Sequence, residues 1–204
     1  MRLQELGYVE TVFGYSPKNR IRIRAVGLEI ILWEIAESRS DVKSFSFPGP
    51  EITVNTGNGD FKHKLAMSIE FNDGVTGAFE YLNRKQFDAG LGPFLSDKAN
   101  QIRMRLELFD NKYWQSHEAH YSAWRRLVRF IHPKLQIESW ELCERICSVS
   151  WPKARLPISD IAKHFQVDKQ TILTAVAFLI HQGHLMFDSE RGEYDLSSKV
   201  WKKS

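Results

Sequence analysis

The spacing of apolar residues changes period several times along the chain, and each change predicts an element. Leu28, Ile31, Leu32 and Ile35 recur at steps of three and four, so GLEIILWEIAESRSD reads as a helix with one apolar face. Alternation over Asp41-Val42-Lys43-Ser44-Phe45-Ser46-Phe47 then predicts a strand, and Pro48-Gly49-Pro50 separates it from a second strand at Ile52 to Val54. Asn55 to Asp60 reads as a loop. From His63 to Lys85 two apolar-rich runs flank Asn72-Asp73-Gly74, a strong hairpin signal. Ser96 or Asp97 can cap a helix carrying Ile102, Leu106 and Phe109, with Asp97-Lys98 serving the cap. A short strand at Lys112-Tyr113-Trp114 and a helix over EAHYSAWRRLVRFIH follow, the latter with Tyr121, Trp124, Leu127 and Val128 as its core side. Residues before Leu28 read as a lead-in of aromatic and turn residues punctuated by Ser16-Pro17.

Beyond His132-Pro133-Lys134 the pattern becomes helix (Ile137 to Val149), helix (Ile158 to Phe165), helix (Lys169 to Gln182, ended by Gly183) and a β pair over Leu185 to Val200 turning at Ser189 to Gly192. That is the order of a winged helix-turn-helix, and ISDIAKHFQVDKQTILTAVAFLIHQGHL fits the module. The expected organisation is therefore an α/β domain with a mixed sheet over residues 1–133 and a small winged-helix domain over 134–204.

Composition adds little to this: 204 residues, 43% hydrophobic and 26% charged, describe an ordinary globular chain. No run approaches the roughly 18 apolar residues of a membrane span, and no basic-then-apolar segment opens the chain, which leads to an expectation of cytoplasmic location. Cys143 and Cys147, four apart without a zinc-like partner pair, read as buried small hydrophobes.

Charge changes the picture more. Residues 138–204 hold nine basic and nine acidic side chains, so the net +3 lies in the first two thirds. Lys18, Arg20, Arg22 and Arg24 form one basic stretch and Arg125, Arg126, Arg129 and Lys134 another, both suited to a phosphate backbone. The third helix of the winged module offers base edges only Lys169, Gln170, Thr171 and Thr174, which favours a protein-binding or scaffolding use of it over DNA reading.

Taken together, these elements resemble the TnsA-type endonuclease subunit of heteromeric transposases, a restriction-endonuclease-like domain followed by a winged helix. Leu28-Glu29 stands where that family has a Leu-Glu pair supplying a catalytic carboxylate, and Val42 to Phe45 with Pro48 or Pro50 partly match its strand and Gln-Pro element. Its metal-binding Pro-Asp dipeptide falls on Leu65-Ala66, and its closing carboxylate, any residue, lysine triplet on Glu80-Tyr81-Leu82. Glu29 and Glu80 thus match while the aspartate and lysine are replaced by Ala66 and Leu82.

Phosphodiester cleavage needs oxygen ligands converging on Mg²⁺ and a positive group beside the scissile phosphate. Ala66 and Leu82 supply neither, so no cofactor is expected, or Mg²⁺ if a cleavage site functions. Alternation puts Glu70 on the face of Ala66 and Arg84 on that of Leu82, so a displaced site of Glu29, Glu70 and Glu80 with Arg84 or Lys85 is one rescue. The expected function is a DNA-transposition subunit that binds transposon-end DNA, its metal-dependent cleavage impaired or lost. The resemblance implies a DDE-type transposase subunit and an AAA+ regulator as partners, the latter docking on the winged helix or on the tail Lys199 to Ser204 with its Trp201. An active Mg²⁺-dependent endonuclease cutting at transposon ends and a winged-helix transcription regulator are the alternatives. His63, His117 and His120 read as surface or structural, and Trp33, Trp114, Trp124 and Trp140 as packing.

Overall fold

The computed structural model describes residues 11–55, 59–131, 133–149 and 155–202. The first ten residues of the lead-in, the middle of the Asn55 to Asp60 loop, His132, the side chain of Lys134 and the last two residues of the tail lie outside that description. The chain is α/β with a mixed sheet and several helices, and it forms two compact units: residues 1–13 with 24–117, and residues 14–23 with 118–204. The division therefore does not fall at residue 133. Pro133 starts a helix instead, at the first helical position, where its missing N–H costs nothing.

Strands β1 (Thr11–Ser16) and β2 (Ile21–Val26) pair as a two-stranded ribbon where a lead-in is expected from the sequence. Its turn at Pro17 to Arg20 is tied by the Asn19 N–H donating to Ser16 Oγ at 3.2 Å.

In the first unit, α1 (Leu28–Ser38) adjoins β3 (Val42–Ser46) and β7 (Thr76–Leu82), and its residues from Ile30 to Glu37 are all buried. A hairpin of β4 (Glu51–Asn55) and β5 (Asp60–Lys64) follows β3, paired from Glu51↔Lys64 to Asn55↔Asp60. The chain returns as β6 (Met67–Phe71), turns at Asn72-Asp73-Gly74 and runs back as β7. Helices α2 (Arg84–Asp88) and α3 (Leu91–Gln101) cross over to β8 (Arg105–Asp110), which joins β7 in parallel. The sheet order is β3-β6-β7-β8, antiparallel except for the last pair.

Two expectations give way here. The helix starts at Leu91, not at Ser96 or Asp97, because Pro93 fits a first turn whose N–H groups are unpaired anyway. Leu106 and Phe109 belong to β8, where Leu106 and Leu108 alternate, and Lys112 to Trp114 open α4 (Asn111–Val128) instead of forming a strand.

One face of this sheet carries an aromatic ladder: Phe79 meets Phe71 at 6.3 Å and Phe109 at 5.1 Å between ring centroids, edge to face. At its margin Arg39 bridges Asp41 and Glu107, and Arg105 lies 3.9 Å over the Phe71 ring. Burial alone pulls the Arg39 guanidinium down, but its two carboxylate partners hold it above its ordinary value.

The second unit is built from residues 14–23 of the ribbon, the latter part of α4, α5 (Pro133–Ser148), β9 (Leu156–Pro157), α6 (Ile158–Phe165), α7 (Lys169–His181), β10 (Leu185–Phe187) and β11 (Lys199–Lys202), with an antiparallel sheet in the order β10-β11-β9. Asp168 caps α7, accepting from the N–H groups of Gln170 and Thr171 at 2.8 and 3.0 Å. From Ile172 to Ile180 every α7 residue but Phe178 is buried. Trp124 packs on Phe187, and the Tyr194 hydroxyl, fully buried and pushed well above its ordinary pKa by that burial, donates to the Leu173 carbonyl at 2.7 Å. Cys143 and Cys147 are free thiols, Cys143 buried and its pKa pushed up to about 11. Trp201 sits in β11, paired with Met186. Among the described residues no helix is long and apolar enough to cross a membrane.

Candidate functional site

The register of β6 with β7 runs Glu70↔Thr76, Ile69↔Gly77, Ser68↔Ala78 and Met67↔Phe79. One further step sets Ala66 opposite Glu80, and the Ala66 N–H donates to Glu80 Oε2 at 2.7 Å. The two positions that the motif count singles out are therefore neighbours. What joins them is a backbone hydrogen bond to a buried carboxylate. His63 of β5 approaches the same oxygen, its Nε2 at 3.5 Å without the geometry of a hydrogen bond. Burial pushes the Glu80 carboxyl above its usual range; the Ala66 N–H and His63 offset this only in part.

Leu82, on the same face two residues along, is 4% exposed and belongs to an apolar cluster with Ile52, Val54, Leu65, Ala78 and Leu95. Hairpin β4–β5 and helix α3 thus cover the face on which a lysine would have to meet a phosphate. The sequence pattern does not foretell that cover, because β5 reads as part of the next hairpin and its His63 carries no motif.

The other candidates do not converge on Glu80. Glu29 Oε2 accepts from the Val26 N–H at 2.9 Å, so this carboxylate ties the end of β2 to the first turn of α1. Glu70 is bound to Lys43 Nζ at 2.5 Å and Ser44 Oγ at 2.8 Å. Its cross-strand partner Thr76 lies four residues from Glu80, about 13 Å by strand rise. Arg84, whose side chain is 91% exposed, pairs with Asp88, and both Arg84 and Lys85 sit on α2 past the end of β7. The strand ends at Leu82, so alternation no longer governs them; that corrects the displaced-site expectation. Among the described residues no group of three or more His, Cys, Asp or Glu could hold a metal ion.

This chain matches no protein-family model and no curated protein.

The histidines elsewhere serve local structure: His117 stacks on Tyr113 with ring centroids 4.4 Å apart, and His120 Nδ1 lies 2.7 Å from Ser189 Oγ. Asp97 and Lys98 lie inside α3, away from its N-cap at Gly90. Trp33 and Trp124 are buried, whereas Trp140 is 54% exposed and so is not core packing.

The basic candidates divide into two groups. Arg20, Arg22 and Arg24 of the ribbon and Arg126 and Arg129 near the end of α4 are exposed and, among the described residues, hold no ion pair. Lys18 and Arg125 are half-buried and already take part in interactions within the protein. On α7, Lys169 and Gln170 are exposed, Thr171 is half-buried and Thr174 is buried.

Glu80→Gln tests the buried carboxyl. A carboxyl whose folded pKa is raised above 4.5 penalises the native state once ionised; stability from this group rises as pH falls through the folded pKa toward 4.5. Glutamine can keep the Ala66 hydrogen bond without the charge. The variant is expected to match or exceed the wild type in urea melts near neutrality, with the advantage shrinking as pH approaches 4.5. An unchanging difference between the two proteins would contradict the raised pKa.

Proposed function

We propose that this protein is a DNA-transposition subunit resembling the TnsA-type endonuclease, which holds transposon-end DNA and partner proteins without cutting through the usual metal site. The observation that carries this reading is the pairing of Ala66 with Glu80 beside a Leu82 sealed in apolar packing. The aspartate and lysine of a cleavage centre are replaced where the sheet would present them, by Ala66 and Leu82. The order helix, three antiparallel strands, crossover helices and a parallel fourth strand supports a restriction-endonuclease-like scaffold. Three helices with a three-stranded antiparallel sheet support a winged helix in the second unit. A DDE-type transposase subunit and an AAA+ regulator are the proposed protein partners.

Burial of α7 speaks against a transcription regulator reading DNA through that helix. The active-endonuclease alternative requires ligands that Ala66 and Leu82 do not provide.

The test pairs binding with cleavage. Duplex DNA should bind with an affinity that falls steeply with salt, and each of Arg126→Ala and Arg129→Ala should lower the salt slope by about 0.9. Supercoiled plasmid with Mg²⁺ or Mn²⁺ should stay uncut. Nicking by the wild type that Glu80→Ala or Glu29→Ala abolishes would overturn the non-cleaving reading, and absence of any DNA binding would remove the proposal itself.

A further inference from the structure

Resting on the reading of this protein as a DNA binder, we propose that strand β2 reads base pairs from the major groove, with Arg22 and Arg24 each recognising a guanine, two base steps apart.

The usual reader of a helix-turn-helix unit is closed to this role. From Ile172 onward α7 is occupied in packing, and only Lys169 and Gln170 at its start are exposed. The loop between β10 and β11 is no better: Asp188, Glu190, Glu193 and Asp195 outnumber Arg191 and would repel phosphates.

The ribbon has the opposite character. Alternation puts Ile21, Ile23 and Ala25 on one face of β2, and their exposure falls from 56% at Ile21 to 0% at Ala25, so this face turns into the protein. Arg22 and Arg24 share the other face and are both exposed, with no carboxylate among the described residues to hold them. Guanidinium groups left without partners keep all their donors for a ligand. Both ends of the strand are fastened, by the Glu29 bond to the Val26 N–H and by the turn at the fully buried Ser16.

Dimensions agree. Alternate residues on a strand are separated by about 6.6 Å, and two base steps by about 6.8 Å. A two-stranded ribbon fits the major groove, where arginine donates in a bidentate manner to guanine O6 and N7.

The test is selection of full-length protein on a randomised duplex library, with Arg22→Gln and Arg24→Gln beside the wild type. Both positions are exposed, and circular dichroism checks that the variants fold. The wild type is expected to select a motif with two G·C pairs two steps apart. Each variant should lose guanine preference at one of them by about tenfold while keeping the other, with adenine gaining at the altered position. Gln170→Ala should leave the motif unchanged. A uniform loss of affinity with the motif intact, a motif altered by Gln170→Ala, or binding with no motif would overturn the assignment while leaving DNA binding standing. A chain that binds no duplex at all would instead overturn the function on which the assignment rests.

Discussion

Leu82→Lys is expected to destabilise the first unit severely and not to restore a cleavage site. The side chain is enclosed by Ile52, Val54, Leu65, Ala78 and Leu95, and a lysine there must either be neutral or carry an unpaired charge into an apolar cluster. The cost should be on the order of 3–5 kcal/mol, against a total of about 5–15 for a domain of ordinary stability. Leu82→Met keeps the volume and should cost less than about 1.5 kcal/mol. Urea denaturation of the two variants beside the wild type decides the matter. Equal midpoints for Leu82→Lys and wild type would mean that the face is open. The Ala66→Asp/Leu82→Lys pair is consequently a poor probe of lost catalysis, since failure to cut would not separate lost stability from lost chemistry.

Gly77→Val should be comparably severe, although valine is the better strand former. A Cβ at residue 77 would stand 2.3 Å from the Arg105 carbonyl oxygen and 2.8 Å from the Phe71 ring. The first neighbour is backbone of the adjacent parallel strand, so β7 and β8 must separate to admit it. A loss of about 3 kcal/mol or more is expected, with a lower midpoint in thermal melts. Thr76→Val, one residue earlier and exposed, should change stability by no more than about 0.5 kcal/mol. If propensity governed this strand, both substitutions would stabilise; if the close approach governs it, only Gly77→Val is damaging.

Local pattern made much of this fold legible. The Leu28 to Ile35 spacing, the Val42 to Phe47 alternation, the Asn-Asp-Gly turn and the three helices after residue 133 all correspond to elements at those places. The misreadings share a cause: a short apolar spacing fits two periods. Leu106 and Phe109, three apart, satisfy a helix as well as Leu106 and Leu108 satisfy a strand, and only the parallel partner β7 settles the choice. The ribbon of β1 and β2 is hidden because β2 alternates arginine with isoleucine along the chain, which reads as a basic run.

At the candidate site, the opposition of Ala66 and Glu80 follows from counting residues about a turn, which register preserves. His63 beside Glu80 and the sealing of Leu82 do not follow, because both come from a hairpin folded back across the sheet. The use of Glu29 is instead local: it accepts from the Val26 N–H three residues back, across the junction of β2 with α1.

That folded-back hairpin also bears on how the chain is wired. Its two ends are drawn together at Gly49, whose N–H donates to the Leu65 and Ala66 carbonyls at 2.9 and 3.2 Å, while the Leu65 N–H donates to the Pro50 carbonyl at 2.9 Å. The crossing is so close that a Cβ on Gly49 would meet the Leu65 oxygen at 2.8 Å. Everything between these residues leaves and rejoins the sheet at a single knot of hydrogen bonds. For the pairing of β3 with β6 the intervening residues behave like a short splice, and the outer length of the excursion is uncoupled from the register that sets Ala66 against Glu80.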